Sequence, residues 1–162
     1  MTKDEFDRLV YEHQGLIWKI CRSFSNNEED QKDLFQEILY RLWLAKDSFS
    51  GDSKVTTWMY KVGLNRAIDL NRKKRVKTTS LNDMQIPSGA PASDYDLEAL
   101  YLAINKLAPL DRAIIILYLD QLSYKEIGEI MGISKKNVSV KLVRIKRKLK
   151  ETYLRLTETV NS

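Results

Sequence analysis

Residues 122–149 read LSYKEIGEIMGISKKNVSVKLVRIKRKL, and this stretch decides the fold. Ser123 followed three residues later by Glu126 is the pattern of a helix start in which the hydroxyl and the carboxylate each satisfy a free backbone amide. Ile127, Ile130 and Met131 recur at helical spacing and face inward. Gly128 falls where two helices must approach closely, and Gly132 suits the left-handed residue that ends a first helix. Ser134 caps a second helix. Val138, Leu142, Ile145 and Leu149 form its buried stripe, and Lys135, Lys136, Asn137, Ser139, Lys141, Arg144 and Lys148 form the opposite face. This is a helix-turn-helix whose second helix, Lys135–Lys150, is built for the DNA major groove. Asn, Ser, Lys and Arg in its first part can read base edges, while Lys146, Lys148 and Lys150 are suited to phosphates, which position without specifying. By itself the motif fits a repressor, an activator or a polymerase subunit equally well.

Charge extends the reading outward. The chain has 162 residues and a formal net charge of +5. Residues 134–150 hold eight basic and no acidic groups, and residues 51–75 hold seven basic and two acidic ones. The rest is mildly acidic, so two basic patches on one chain point to two contacts with one polyanion. For Arg72–Arg75 alone, a solvated helix end is an equal alternative. Cys21 and His13 are the only residues of their kinds; both are read as core-facing, and neither a disulfide nor a His/Cys metal site is expected. No cofactor is expected. The N-terminus, Met1–Glu5, lacks the apolar core of a signal peptide. No apolar run approaches the ~20 residues of a membrane span. A cytoplasmic protein without membrane insertion is therefore expected.

Helical periodicity dominates the remainder, with no strand-like alternation of useful length and no internal repeat. Phe6, Leu9, Val10, His13, Ile17, Ile20, Cys21 and Phe24 make one face of a first helix. A second runs from about Glu28 to Ala45, with Leu34, Phe35, Ile38, Leu39, Leu42 and Trp43 apolar. After a turn-rich loop around Gly51, a third runs from about Val55 to Lys74, with Trp58, Met59, Val62 and Ile68 inward. Residues 76–95 contain Pro87, Gly89 and Pro91 and have no period. They read as a linker with an r.m.s. span of roughly 25 Å and an extended reach of ~70 Å, a composition that permits packed or separated halves. From Asp96 the pattern resumes with Leu97, Leu100, Tyr101, Ile104 and Leu107. Pro109 ends that helix, and Asp111 is placed to cap the apolar run Ala113–Leu119. The expected fold is all-α: two small helical domains, 1–75 and 96–162, joined by a flexible linker, the second containing the helix-turn-helix.

Asp33-Leu34-Phe35-Gln36-Glu37-Ile38-Leu39-Tyr40-Arg41-Leu42-Trp43 resembles the polymerase-binding helix of extracytoplasmic-function (ECF) sigma factors. Phe49-Ser50-Gly51-Asp52-Ser53, then Thr57-Trp58-Met59-Tyr60-Lys61-Val62, Asn65 and the basic end Arg72–Arg75, resemble the family's second hallmark. The linker and helix-turn-helix follow in the family's order, so the resemblance covers nearly the whole chain. It implies that Asp33, Leu34, Gln36, Glu37 and Arg41 meet core RNA polymerase at the clamp helices of its large subunit, with a second contact to the β flap. It also implies that Phe49, Gly51, Asp52, Ser53, Lys54, Thr57, Lys61, Asn65, Arg66, Arg72, Lys73 and Lys74 meet the −10 promoter element, with a flipped base held by the loop 49–53 and Asn65. Lys135, Lys136, Asn137, Ser139, Val140, Lys141, Arg144 and Lys148 would then meet the −35 element. An anti-sigma partner is implied, and no catalytic residue. The chain departs from several members at Ser139, Lys141 and Val143, where they carry arginines and an aromatic, so the base preference does not carry over. It also lacks the extra N-terminal and middle domains of housekeeping sigma factors. The alternatives are a conventional dimeric helix-turn-helix regulator with a sensing N-terminal half, and a nucleic-acid enzyme. The sequence offers the enzyme no metal-spaced carboxylates, phosphate-binding glycine loop or Cys/His pair.

Overall fold

The computed structural model describes residues 1–77 and 92–161. The ordered elements are α1 (Lys3–Phe24), α2 (Glu28–Ala45), a 3-10 turn (Lys46–Ser48), α3 (Val55–Lys77), α4 (Ala92–Asn105), α5 (Pro109–Leu119), α6 (Tyr124–Met131) and α7 (Lys135–Asn161). Among the described residues every regular element is helical. Both helices bordering the expected linker are longer than the periodicity implies, and residues 78–91 of that linker lie outside the described residues.

Local chemistry explains the starts. Thr2 and Glu5 form a capping box, the Glu5 amide donating to Thr2 Oγ1 at 3.2 Å and the Thr2 amide to Glu5 Oε2 at 3.0 Å. The Asn27 side chain accepts from the Asp30 amide at the start of α2. At α5 the expected cap is corrected. Pro109 opens the helix, Ala108 is its N-cap without a side-chain bond, and Asp111 sits inside the first turn. Proline's fixed φ and missing amide suit it to a first helical position. His13 is also corrected: it is half-buried at a kink in α1, with φ −116° and ψ 19°. Cys21 is fully buried as expected, and desolvation pushes its thiol up to about 12.

The first three helices close around Ile17, Ile20, Ile38, Leu42, Met59 and Leu64. In the second half, α5 is the centre: Ala113 through Leu117 are all buried. Arg112, only 8% exposed, donates from Nε to the Leu107 carbonyl at 2.8 Å and from its terminal nitrogen to the Asn105 carbonyl. It thereby satisfies carbonyls left free where α4 ends. Leu97, expected inward, is 41% exposed.

The two halves pack against each other, and most of their buried apolar residues belong to one cluster. Asp120, just beyond α5, is the polar centre of the contact. Its Oδ1 receives Lys19 Nζ at 2.7 Å and its Oδ2 receives the Tyr60 hydroxyl at 2.6 Å. Burial, and then the bond and charge of Asp120, hold the Tyr60 phenol well above the usual tyrosine range, so it stays a donor. Asn105 donates to the Arg22 carbonyl at 2.8 Å, and the Arg22 guanidinium lies 4.2 Å from the centre of the Tyr101 ring.

Candidate nucleic-acid interface

The helix-turn-helix forms as its sequence dictates. The Ser123 hydroxyl accepts the Glu126 amide at 3.1 Å, and Glu126 Oε1 accepts the Ser123 amide at 3.1 Å. The backbone and hydroxyl of Ser123 hold the Glu126 carboxyl below its ordinary value. Gly132 ends α6 with φ 72°, a left-handed conformation that costs glycine nothing. A Cβ on Gly128 would lie 2.6 Å from the Ile133 carbonyl oxygen, so the turn closes only over a bare α-carbon. Ser134 Oγ accepts the Asn137 amide at 3.1 Å and starts α7.

Along α7, Val138, Leu142, Ile145 and Leu149 are buried. Lys135, Lys136, Asn137, Ser139, Val140, Arg144 and Lys148 are exposed, and Lys141 is half-buried at the edge of the face. Arg147, which the sequence reading passed over, and Val143, read there only as a departure from the family pattern, stand on the exposed face beside Val140. Counting 100° per residue from the buried stripe would have found both. Lys146, read as a phosphate contact, is exposed but lies over an aromatic ring. Its Nζ lies 4.1 Å from the centre of the Tyr118 ring, and its hydrogen bond with Tyr118 raises its pKa. Away from the Val140 face, α4, α5 and α7 enclose an apolar groove of about 550 Å³ lined by Leu97, Leu100, Leu119 and Tyr153 among others.

The second patch is laid out by α3 and the loop before it. Gly51, Asp52, Ser53 and Lys54 are exposed. Ser50 Oγ donates to Asp52 Oδ2 at 2.9 Å. Phe49 is half-buried, its ring 5.4 Å from that of Trp58. Trp58 is buried, and its indole nitrogen has no hydrogen-bond partner. Lys61, Asn65, Arg72 and Lys73 are exposed, and Thr57 is half-buried. Lys61, Asn65 and Arg72 fall on one stripe of the helix. The side chain of Lys74 lies outside the described residues. Asn65 borders a hollow of about 440 Å³ shared with Arg41, Leu44 and Asp69. Lys54 Nζ lies 3.9 Å from Glu126 Oε2, linking this loop to α6.

Two expectations are corrected here. Arg66, read as a free phosphate contact, is bound within the protein: Nε donates to Glu37 Oε1 at 2.8 Å, and a terminal nitrogen lies 3.4 Å from Asp69 Oδ2. With its side chain 17% exposed, a guanidinium held by two carboxylates is already neutralised. Leu34 is only 9% exposed, because it continues the inward stripe of Ile38 and Leu42. The apolar part of the exposed α2 edge is instead Tyr40 and Leu44, each 56% exposed. They lie one and two turns beyond Gln36, flanked by Asp33 and Arg41, both exposed. Glu37 is half-buried between Arg66 and Arg41.

Comparison with known proteins gives consistent matches. The family profile described as Sigma-70 region 2 matches residues 9–76, and that described as Sigma-70, region 4 matches residues 97–149. RNA polymerase sigma factor NccH of Alcaligenes xylosoxydans xylosoxydans is 30% identical over 156 residues, covering 89% of this chain and 84% of the relative. ECF RNA polymerase sigma factor SigW of Bacillus subtilis is 28% identical over 166 aligned positions, covering 92% and 89%. Among solved structures, CnrH in complex with the cytosolic domain of CnrY is 25% identical with a TM-score of 0.68, covering 93% of this chain and 88% of that one. The sigma factor RpoE, solved with the anti-sigma factor NepR from Bartonella quintana, shares the fold with a TM-score of 0.72 at 22% identity, covering 93% and 97%.

Proposed function

This chain belongs to the sigma-70 family as an ECF sigma factor acting in transcription initiation, and from that premise we propose how its surfaces divide the work. Residues 1–75 serve as region 2, 76–95 as the connector and 96–162 as region 4. The α2 edge of Asp33, Gln36, Tyr40, Arg41 and Leu44 docks on the clamp helices of the polymerase large subunit. An apolar centre with a polar rim is the composition of such an interface. The groove between α4, α5 and α7 receives the β flap.

The −10 element lies against the loop 49–54 and the stripe Lys61, Asn65 and Arg72, with Lys73 and Lys74 on phosphates. A flipped base seats in the hollow beside Asn65, and binding energy offsets its unstacking. The −35 element receives the exposed face of α7. The protein carries out no chemistry of its own, acts in the cytoplasm, and is held in check by an anti-sigma protein. The last point is supported by the complexes of RpoE with NepR and of CnrH with CnrY.

The observation that carries the reading is the pair of separately exposed basic faces, on α3 and α7, in one chain with the α2 edge. Run-off transcription with purified core polymerase tests it. Promoter-specific initiation should require this chain, and binding should weaken steeply with salt, because several phosphates are neutralised together. A chain that neither co-purifies with core polymerase nor directs a specific transcript overturns the reading.

A further inference from the structure

Val140 and Val143 are 54% and 58% exposed, in the middle of a face whose other members are charged or polar. Neither joins the apolar cluster that holds Val138, Leu142 and Ile145. Nothing in the fold requires them. β-branched residues are also poorer helix formers than the lysines and arginines around them, so local propensity does not explain them either. They stand three residues apart on α7, which makes them surface neighbours with Cβ atoms about 5–6 Å apart. Lys136 precedes Val140 by one turn, and Arg144 and Arg147 follow Val140 and Val143 by one turn each. The two valines are therefore a methyl-bearing patch inside a basic frame.

A valine has no donor or acceptor and cannot read a base by hydrogen bonds. In the major groove, the apolar feature that distinguishes one base from the others is the C5-methyl of thymine. Base pairs rise about 3.4 Å per step, so side chains 5–6 Å apart can meet methyls one or two steps apart. The basic frame supplies the phosphate attraction that holds the helix in the groove. We infer that Val140 and Val143 select thymine methyl groups in the DNA bound by α7, so that the preferred element carries two thymines within two base steps. The inference rests on the reading of α7 as the −35-binding helix and adds which chemical group it selects there.

The test uses the full chain in holoenzyme with core polymerase. Random duplexes are first selected for binding, and the enriched upstream box is then resynthesised with deoxyuridine replacing each thymine in turn. Deoxyuridine keeps every hydrogen-bonding edge and removes only the methyl. Binding should fall about fourfold at each of two positions, the worth of burying one methyl-sized group. The same substitutions should change nothing for Val140→Ala/Val143→Ala, whose alanines favour the helix and leave the fold intact. An enriched box in which deoxyuridine is neutral everywhere overturns the methyl assignment alone. An equal loss for wild type and the double variant also overturns it, because another group then reads the methyl. If no upstream box is enriched at all, the sigma-factor reading of α7 fails, and this assignment with it.

Discussion

Single positions decide whether the motif closes. Gly128 has the Ile133 carbonyl oxygen 2.6 Å from where its Cβ would stand, and that carbonyl belongs to backbone which cannot rotate aside like a side-chain tip. Gly128→Ala should destabilise the protein by about 1–3 kcal/mol, the usual cost of overpacking. Urea unfolding would show this as a lower midpoint at unchanged slope, and a loss below about 0.5 kcal/mol would mean that the turn gives way freely. The role of this glycine was legible from the sequence because the motif is local. The fates of Leu34 and Arg66 were less so. Helical spacing placed Leu34 with Ile38 and Leu42, yet family resemblance drew it to the surface. A positive charge on a basic helix gave no sign that Glu37, 29 residues earlier, would claim Arg66.

At the scale of elements, α6 is the test of capping. It has only eight residues, too few to be stable without its cap and its packing. Ser123→Ala removes the hydroxyl that accepts the Glu126 amide, one of the two reciprocal bonds of the box, and should cost about 0.5–2 kcal/mol near neutral pH. The pH dependence follows from Glu126, whose carboxyl is held below its ordinary 4.5 in the folded state. A lowered carboxylate stabilises the fold above its unfolded value, and the contribution disappears as pH falls through the folded value. The difference between wild type and Glu126→Ala, which removes the carboxylate that accepts the Ser123 amide, should therefore be full at pH 7 and narrow below about pH 4. Thermal melts across that range check this, and a pH-independent difference would contradict it. The elements were the most legible level, since caps and 3.6-residue periods sit within a few residues of each other. The exception is α5, where a proline read as a terminator is the first residue of the next helix.

The whole molecule turns on Asp120. It joins α1 through Lys19 and α3 through Tyr60, whose side chain is 1% exposed. Asp120→Ala leaves the buried Tyr60 hydroxyl without this acceptor, a loss of about 1–3 kcal/mol. The Lys19 pair, about half-exposed, contributes little. In small-angle scattering Asp120→Ala should have a larger radius of gyration than wild type, whereas Asp120→Asn, which keeps an acceptor for Tyr60, should stay close to it. Identical profiles for wild type and Asp120→Ala would show that the apolar contact alone holds the halves together.

By itself, the sequence determined the helices, their caps, the helix-turn-helix and the two basic patches, because bonds from residue i to i+4 and the period of 3.6 are written within a few residues. Tertiary structure alone decided which members of each patch stay free. It left Tyr40 and Leu44 outside. It tied Arg66 to Glu37 and folded Lys146 onto Tyr118. It also packed the two halves together through partners 60 and 101 residues apart. Separations of that size leave no mark in local spacing, since any charged or hydroxyl group at the right place on the partner surface would serve. The basic helix of residues 135–150, its buried stripe and its exposed face were recognisable from the letters; that one of its lysines, Lys146, would settle over Tyr118 was not.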